Sequence, residues 1–108
     1  MRYVVILLPA AADDLEQLFD YIAENDAPGK AIRVITRLQE LIDGLAEFPD
    51  RGRRVSELEE LGYRACREVS FKPYRIIYRV VEDAVRVYMV VDGRRNMQKL
   101  LEQRLLGP

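Results

Sequence analysis

Three strand-like runs crowd into the second half of the chain, at residues 63–69, 74–81 and 84–91, joined only by residues 70–73 and by Glu82-Asp83. Links this short cannot carry a crossover, so the runs must lie side by side as an antiparallel meander. Strand geometry then sorts their side chains by parity. In the second run Tyr74, Ile76, Tyr78 and Val80 point one way and Arg75, Ile77 and Arg79 the other. In the third, Val85, Val87, Met89 and Val91 alternate with Arg86, Tyr88 and Val90. One face of the meander is therefore expected to be core and the other to carry arginines.

The first half must supply the layer that covers the apolar face. Residues 3–8 form an uninterrupted apolar run closed by Pro9, which reads as a strand covered on both faces or central in the sheet. Residues 10–25 place Ala12, Leu15, Leu18, Phe19 and Ile22 at helical spacing, and Asp13 and Asp14 suit the positive end of the helix dipole. A turn at Asn25-Asp26-Ala27-Pro28-Gly29 offers Asp26 as an N-cap and Pro28 for a first helical turn. The second helix is expected over 28–47, with Ala31, Ile32, Ile35, Leu38, Ile42 and Leu45 as its stripe. So short a link makes the two an antiparallel helical hairpin. Residues 53–62 read as a loop across the core edge, and a short helix through Leu100, Leu101 and Leu105 ends the chain. The expected fold class is α+β, and 108 residues suit one domain, 1–108.

Composition narrows the chemistry. There is no histidine and a single cysteine, Cys66, so an internal disulfide, a zinc site and a histidine-activated nucleophile all lack their parts. No metal, cofactor or catalytic residue is assigned. Charge is more telling in its distribution than in its net value of −1. Residues 1–50 hold four Lys and Arg against ten Asp and Glu, whereas residues 51–108 hold thirteen against eight. The basic half offers a face to an acidic partner. Fourteen of the seventeen cations are arginine, whose planar fork grips carboxylates and phosphates in pairs of bonds. The opening residues 1–12 mimic a secretory signal, but their apolar run is too short for one, and no segment approaches a membrane span. A cytoplasmic location without membrane contact is expected.

Several local signatures combine over nearly the whole chain. They are Asp14-Leu15 and Tyr21-Ile22 in the first helix, Gly62-Tyr63-Arg64 at the entry to the meander, the run 74–80 (Tyr-Arg-Ile-Ile-Tyr-Arg-Val), and the ending 90–97 (Val-Val-Asp-Gly-Arg-Arg-Asn-Met) followed by Leu100-Leu101. The chain thereby resembles the RelE/ParE superfamily of bacterial type II toxins, and its Gly-Arg-Arg ending is most similar to the ParE branch. The resemblance implies a toxin silenced by a cognate ParD-like antitoxin. It also implies one of two mechanisms. ParE proteins are associated with DNA gyrase, and through it with indirect contact to DNA, whereas RelE proteins cut messenger RNA on the ribosome. A non-toxic homologue that only binds an antitoxin-like partner is a third reading.

RNA cleavage needs groups that move protons and cations that stabilise the phosphate. RelE enzymes use lysines and arginines with a C-terminal tyrosine; Arg94 matches one such arginine, but the tyrosine position is Leu100, and no lysine pair precedes Gly62. The resemblance therefore favours a binding poison over a nuclease. On this reading Arg94, Arg95 and Asn96 are the candidates for target binding. Arg75, Arg79 and Arg86, placed as a cross-strand basic patch on the sheet face away from the helices, are the candidates for antitoxin binding.

Overall fold

A computed structural model describes residues 2–106. Strand β1 (Val4–Leu7) leads into helices α1 (Pro9–Asn25) and α2 (Pro28–Gly44), followed by a two-residue strand β2 (Arg53–Arg54) and a short helix α3 (Ser56–Glu59). The meander is β3 (Cys66–Phe71), β4 (Tyr74–Val81) and β5 (Ala84–Asp92); helix α4 (Met97–Leu101) and a π-helical turn (Glu102–Leu106) close the described chain. The five strands run in the order β1-β5-β4-β3-β2, antiparallel throughout except for β1, which lies parallel to β5. Among the described residues no helix is long and apolar enough to cross a membrane.

Both long helices begin with proline at the first helical position, where its missing N–H costs nothing. Neither has a side-chain cap, so Asp26 is not the N-cap of α2; Ala27 takes that place, and Asp26 ends α1 and pairs with Lys30 at 2.6 Å. Helix α2 also stops at Gly44, three residues before the expected end, as the chain turns through residues 45–47. Ala11, Leu15 and Ile22 of α1 and Ala31, Val34, Leu38 and Ile42 of α2 pack on Ile76, Tyr78, Val85, Val87 and Val90 of the sheet. The stripes are rotated slightly from those expected: Ala12 and Ile32 face outward, while Ala11 and Val34 are buried.

Three corrections concern the sheet. First, β1 is an edge strand rather than a central one. Val5 and Leu7 meet the helical core, but Val4 and Ile6 stay exposed on the other face. Second, β3 starts three residues later than expected, and the supposed loop before it contains β2 and α3. Third, the parity of β5 breaks. Tyr78 pairs with Val87 while Ile77 pairs with Met89, so Tyr88 is an extra residue, a bulge. Upstream of it Val85 and Val87 face the helices; downstream Val90 does, and Met89 and Val91 turn to the opposite face. There they build a second core with Val55, Leu58, Ile77, Met97 and Leu101. The face expected to be free of helices is thus covered, over much of its area, by α3 and α4.

Candidate basic surface at the end of the sheet

Strand β1 ends at Leu7, opposite Val87, so backbone groups of β5 past that point have no strand partner on this side, and side chains from distant parts of the chain satisfy them. Asp14 of α1 accepts the Val90 N–H at 3.0 Å, and Arg104 donates to the Tyr88 carbonyl at 3.2 Å. The same two side chains meet as a bidentate pair at 3.0 and 3.1 Å, tying the C-terminal turn to α1. Asp14 therefore acts on the sheet and not on its own helix terminus, which lies more than a turn away.

Beyond this clamp the chain leaves β5 through Asp92, Gly93, Arg94, Arg95 and Asn96. Gly93 is required for space: a Cβ there would lie 2.6 Å from Cδ of Arg75 and 3.0 Å from the Pro73 carbonyl, to which the Gly93 N–H donates at 2.7 Å. Asp92 folds the turn over itself. Its carboxylate accepts the Arg94 N–H at 2.9 Å and the Arg94 guanidinium at 3.0 Å from Nε and 2.6 Å from Nη2. The guanidinium holds the Asp92 carboxyl below the usual carboxylate range, and Asp92 in turn raises Arg94. The Arg94 side chain nevertheless remains 75% exposed, and Arg95 is exposed with no ion pair among the described residues. Asn96 has a structural task, since its side-chain oxygen caps α4 by accepting the Lys99 N–H at 3.2 Å.

The three arginines placed together on the sheet are not together. Arg75 is half-buried and fully engaged, with Nη1 and Nη2 on Glu57 at 2.8 Å each and Nε and Nη2 on Glu68 at 3.0 and 2.6 Å. Glu68 is 2% exposed, the one buried charged residue of the described chain. These hydrogen bonds outweigh desolvation and pull Glu57 down from 4.5 to about 2. Arg75 is thus a closed internal ion cluster rather than part of an open basic patch, because α3 delivers Glu57 and β3 delivers Glu68 to it. Arg79 and Arg86 do stand directly opposite one another across β4 and β5, both exposed and without an acidic partner among the described residues. Such like-charged neighbours cost stability unless something acidic covers them.

Arg94 and Arg95 border a cleft of about 440 Å³ between α1 and the end of β5, lined also by Gln17, Tyr21, Tyr74 and Asp92. The tyrosines were not among the residues singled out as a site by sequence. Tyr21 carried a signal, an aromatic beside rather than on the apolar stripe of α1, and it is 66% exposed. The tyrosine within β4 at position 78 is no proton donor to a substrate: its hydroxyl is buried, donates to the Pro49 carbonyl at 2.7 Å and accepts the Gly52 N–H at 3.0 Å. Burial raises its pKa, as it does for the Cys66 thiol. Leu100 packs against the second core.

Residues 5–97 match the family model for the ParE toxin of type II toxin-antitoxin system, parDE. The chain is 28% identical over 100 residues to Toxin ParE3 of Caulobacter vibrioides, covering 93% of this chain and 96% of that protein. It is 33% identical over 89 residues to the Putative toxin Y4kP of Sinorhizobium fredii, covering 81% and 84%. Among solved structures, the chromosomal ParDE system from P. aeruginosa is similar in fold, with a TM-score of 0.70 at 16% identity over 84% of this chain and 96% of that one.

Proposed function

The chain belongs to the ParE toxin family of type II toxin-antitoxin systems, and from that premise we propose that it inhibits DNA gyrase and is neutralised by a cognate ParD-like antitoxin. The observation that carries this reading is the turn at Arg94 and Arg95. It is braced by Asp92, by the Asn96 cap and by the packing of Gly93 on Arg75, yet its two guanidiniums face solvent. A rigid mount with exposed charges suits recognition, because little side-chain and loop ordering remains to be lost on binding.

Catalysis of RNA cleavage has less to support it. Leu100 packs against the second core and has no proton to give, and the cations beside it, Arg95 and Lys99, are both charged at neutral pH. The antitoxin reading rests on Arg79 and Arg86, whose mutual repulsion an acidic segment would relieve, and on the exposed Val4 and Ile6, which share that face of the sheet.

Purified protein should inhibit gyrase supercoiling while ribosome-bound messenger stays intact. Codon-phased cuts would move the chain to the nuclease reading. Charge reversal at Arg79 and Arg86 should weaken capture by the antitoxin without altering inhibition of gyrase by free toxin.

A further inference from the structure

Arg94 and Arg95 do more than border one cleft. Arg94, with Tyr74, also lines a second one of about 420 Å³ that contains Arg53 and Lys72, and Arg95 also lines a third of about 430 Å³ that contains Lys99. The three clefts are therefore contiguous. Arg94 is the ridge between the first and second, and Arg95 between the first and third. Lys72, Arg95 and Lys99 have no acidic partner among the described residues, and Arg53 reaches Glu68 only at 3.5 Å with its own side chain 80% exposed. The result is a row of cations across the end of the sheet, with the exposed Tyr21 and the half-buried Tyr74, which rests on the helical core, opening into its middle cleft.

We propose that this row of clefts binds single-stranded DNA directly, with phosphates on Arg53, Lys72, Arg94, Arg95 and Lys99 and a base against Tyr21 and Tyr74. Backbone-tracking cations combined with exposed aromatic faces are what an unpaired strand requires. A duplex keeps its bases stacked inside and would leave the tyrosines unused. The Arg94 fork is only partly spent, since Asp92 engages Nε and Nη2 and leaves Nη1 to donate outward. Asp92 is the acidic group that faces the middle cleft beside these cations, and Asp14, also on its wall, is neutralised by Arg104. The choice of DNA over RNA rests on the gyrase reading; the surface itself does not.

The test is fluorescence anisotropy of the full chain with a labelled oligothymidylate, without gyrase, over a range of salt. Binding should weaken with salt by about 0.7 in log K per phosphate contact for each decade of concentration. Arg95→Ala should lower that slope by about one contact, whereas Arg37→Ala, which removes the same charge from α2, should not. Tyr21→Ala should weaken binding roughly tenfold with the slope unchanged, the signature of a lost stack. Asp92→Asn, which preserves the acceptor for the Arg94 N–H, should tighten binding. Equal or tighter binding of a duplex, no effect of Tyr21→Ala, or equal losses from Arg37→Ala and Arg95→Ala would overturn the proposal. Tighter binding of oligouridylate would overturn the assignment to DNA. Because gyrase is absent, oligomer binding can fail while supercoiling is still inhibited, so the two readings fall separately.

Discussion

Arg75 and Arg94 each hold a carboxylate in a fork of two bonds, but they belong to different regimes. Arg75 is 13% exposed and sits between two acids, one of them fully buried; Arg94 is 75% exposed and holds one acid two residues away in the same turn. The first contact joins α3, β3 and β4, so its loss would strand a charge inside the protein. The second is local and wet, so its loss would be repaired by water. The same residue type thus serves as an internal tie or as a surface contact according to how many elements converge on it and how much water they exclude.

The strongest way to break this contrast is at Arg75. Arg75→Ala leaves Glu68 in its buried site with only the exposed Arg53, 3.5 Å away, as a partner, and should cost about 3–5 kcal/mol in denaturant unfolding. Replacing Arg75 and Glu68 together by methionine and leucine should recover most of that loss. A single mutant as stable as the parent would show that the cluster is no tie at all.

The clamp between Asp14 and Arg104 is an intermediate case, with side chains 14% and 25% exposed. Asp14→Ala removes the acceptor of the Val90 N–H as well as the pair, and should cost about 1–3 kcal/mol. Hydrogen exchange at Val90 would localise the effect to the bulge.

The contrast is sharpened by pH. Glu57 has a folded pKa of about 2 against 4.5 otherwise. A depressed carboxyl contributes stability that is fully present above the unfolded value and is lost as pH falls toward the folded one. Thermal stability should therefore decline from about pH 4.5 down to about pH 2, and Glu57→Gln should flatten that decline. A decline in the mutant as steep as in the parent would exclude Glu57 as its source.

The smallest effect on stability is expected at the exposed turn. Arg94→Ala with Arg95→Ala should leave the unfolding midpoint close to that of the parent, as for other exposed ion pairs. Gyrase inhibition should nevertheless be abolished and antitoxin affinity kept. Unfolding of this double mutant would make the turn a structural tie like Arg75, and full inhibition would place target recognition elsewhere.

What sequence alone determined is local. The helical hairpin, the strand over Tyr74–Val81, the tight link at Glu82-Asp83 and the short helix after the Gly-Arg-Arg turn all follow from periodicity, proline placement and short connections, which act between near neighbours. Tertiary structure decided everything that depends on which distant groups meet. An apolar run looks the same at a sheet edge as at its centre, so β1 gave no sign that Val4 and Ile6 would be exposed. One extra residue at Tyr88 reverses the face of every side chain after it, and no pattern within β5 marks the slip. The clamp joins residues 90 positions apart, and Arg75 finds Glu57 18 positions away through a helix that read as loop. An arginine's charge is written in the sequence. Whether that charge is spent inside the fold or left for a partner depends on carboxylates and water that only the packed chain brings to it.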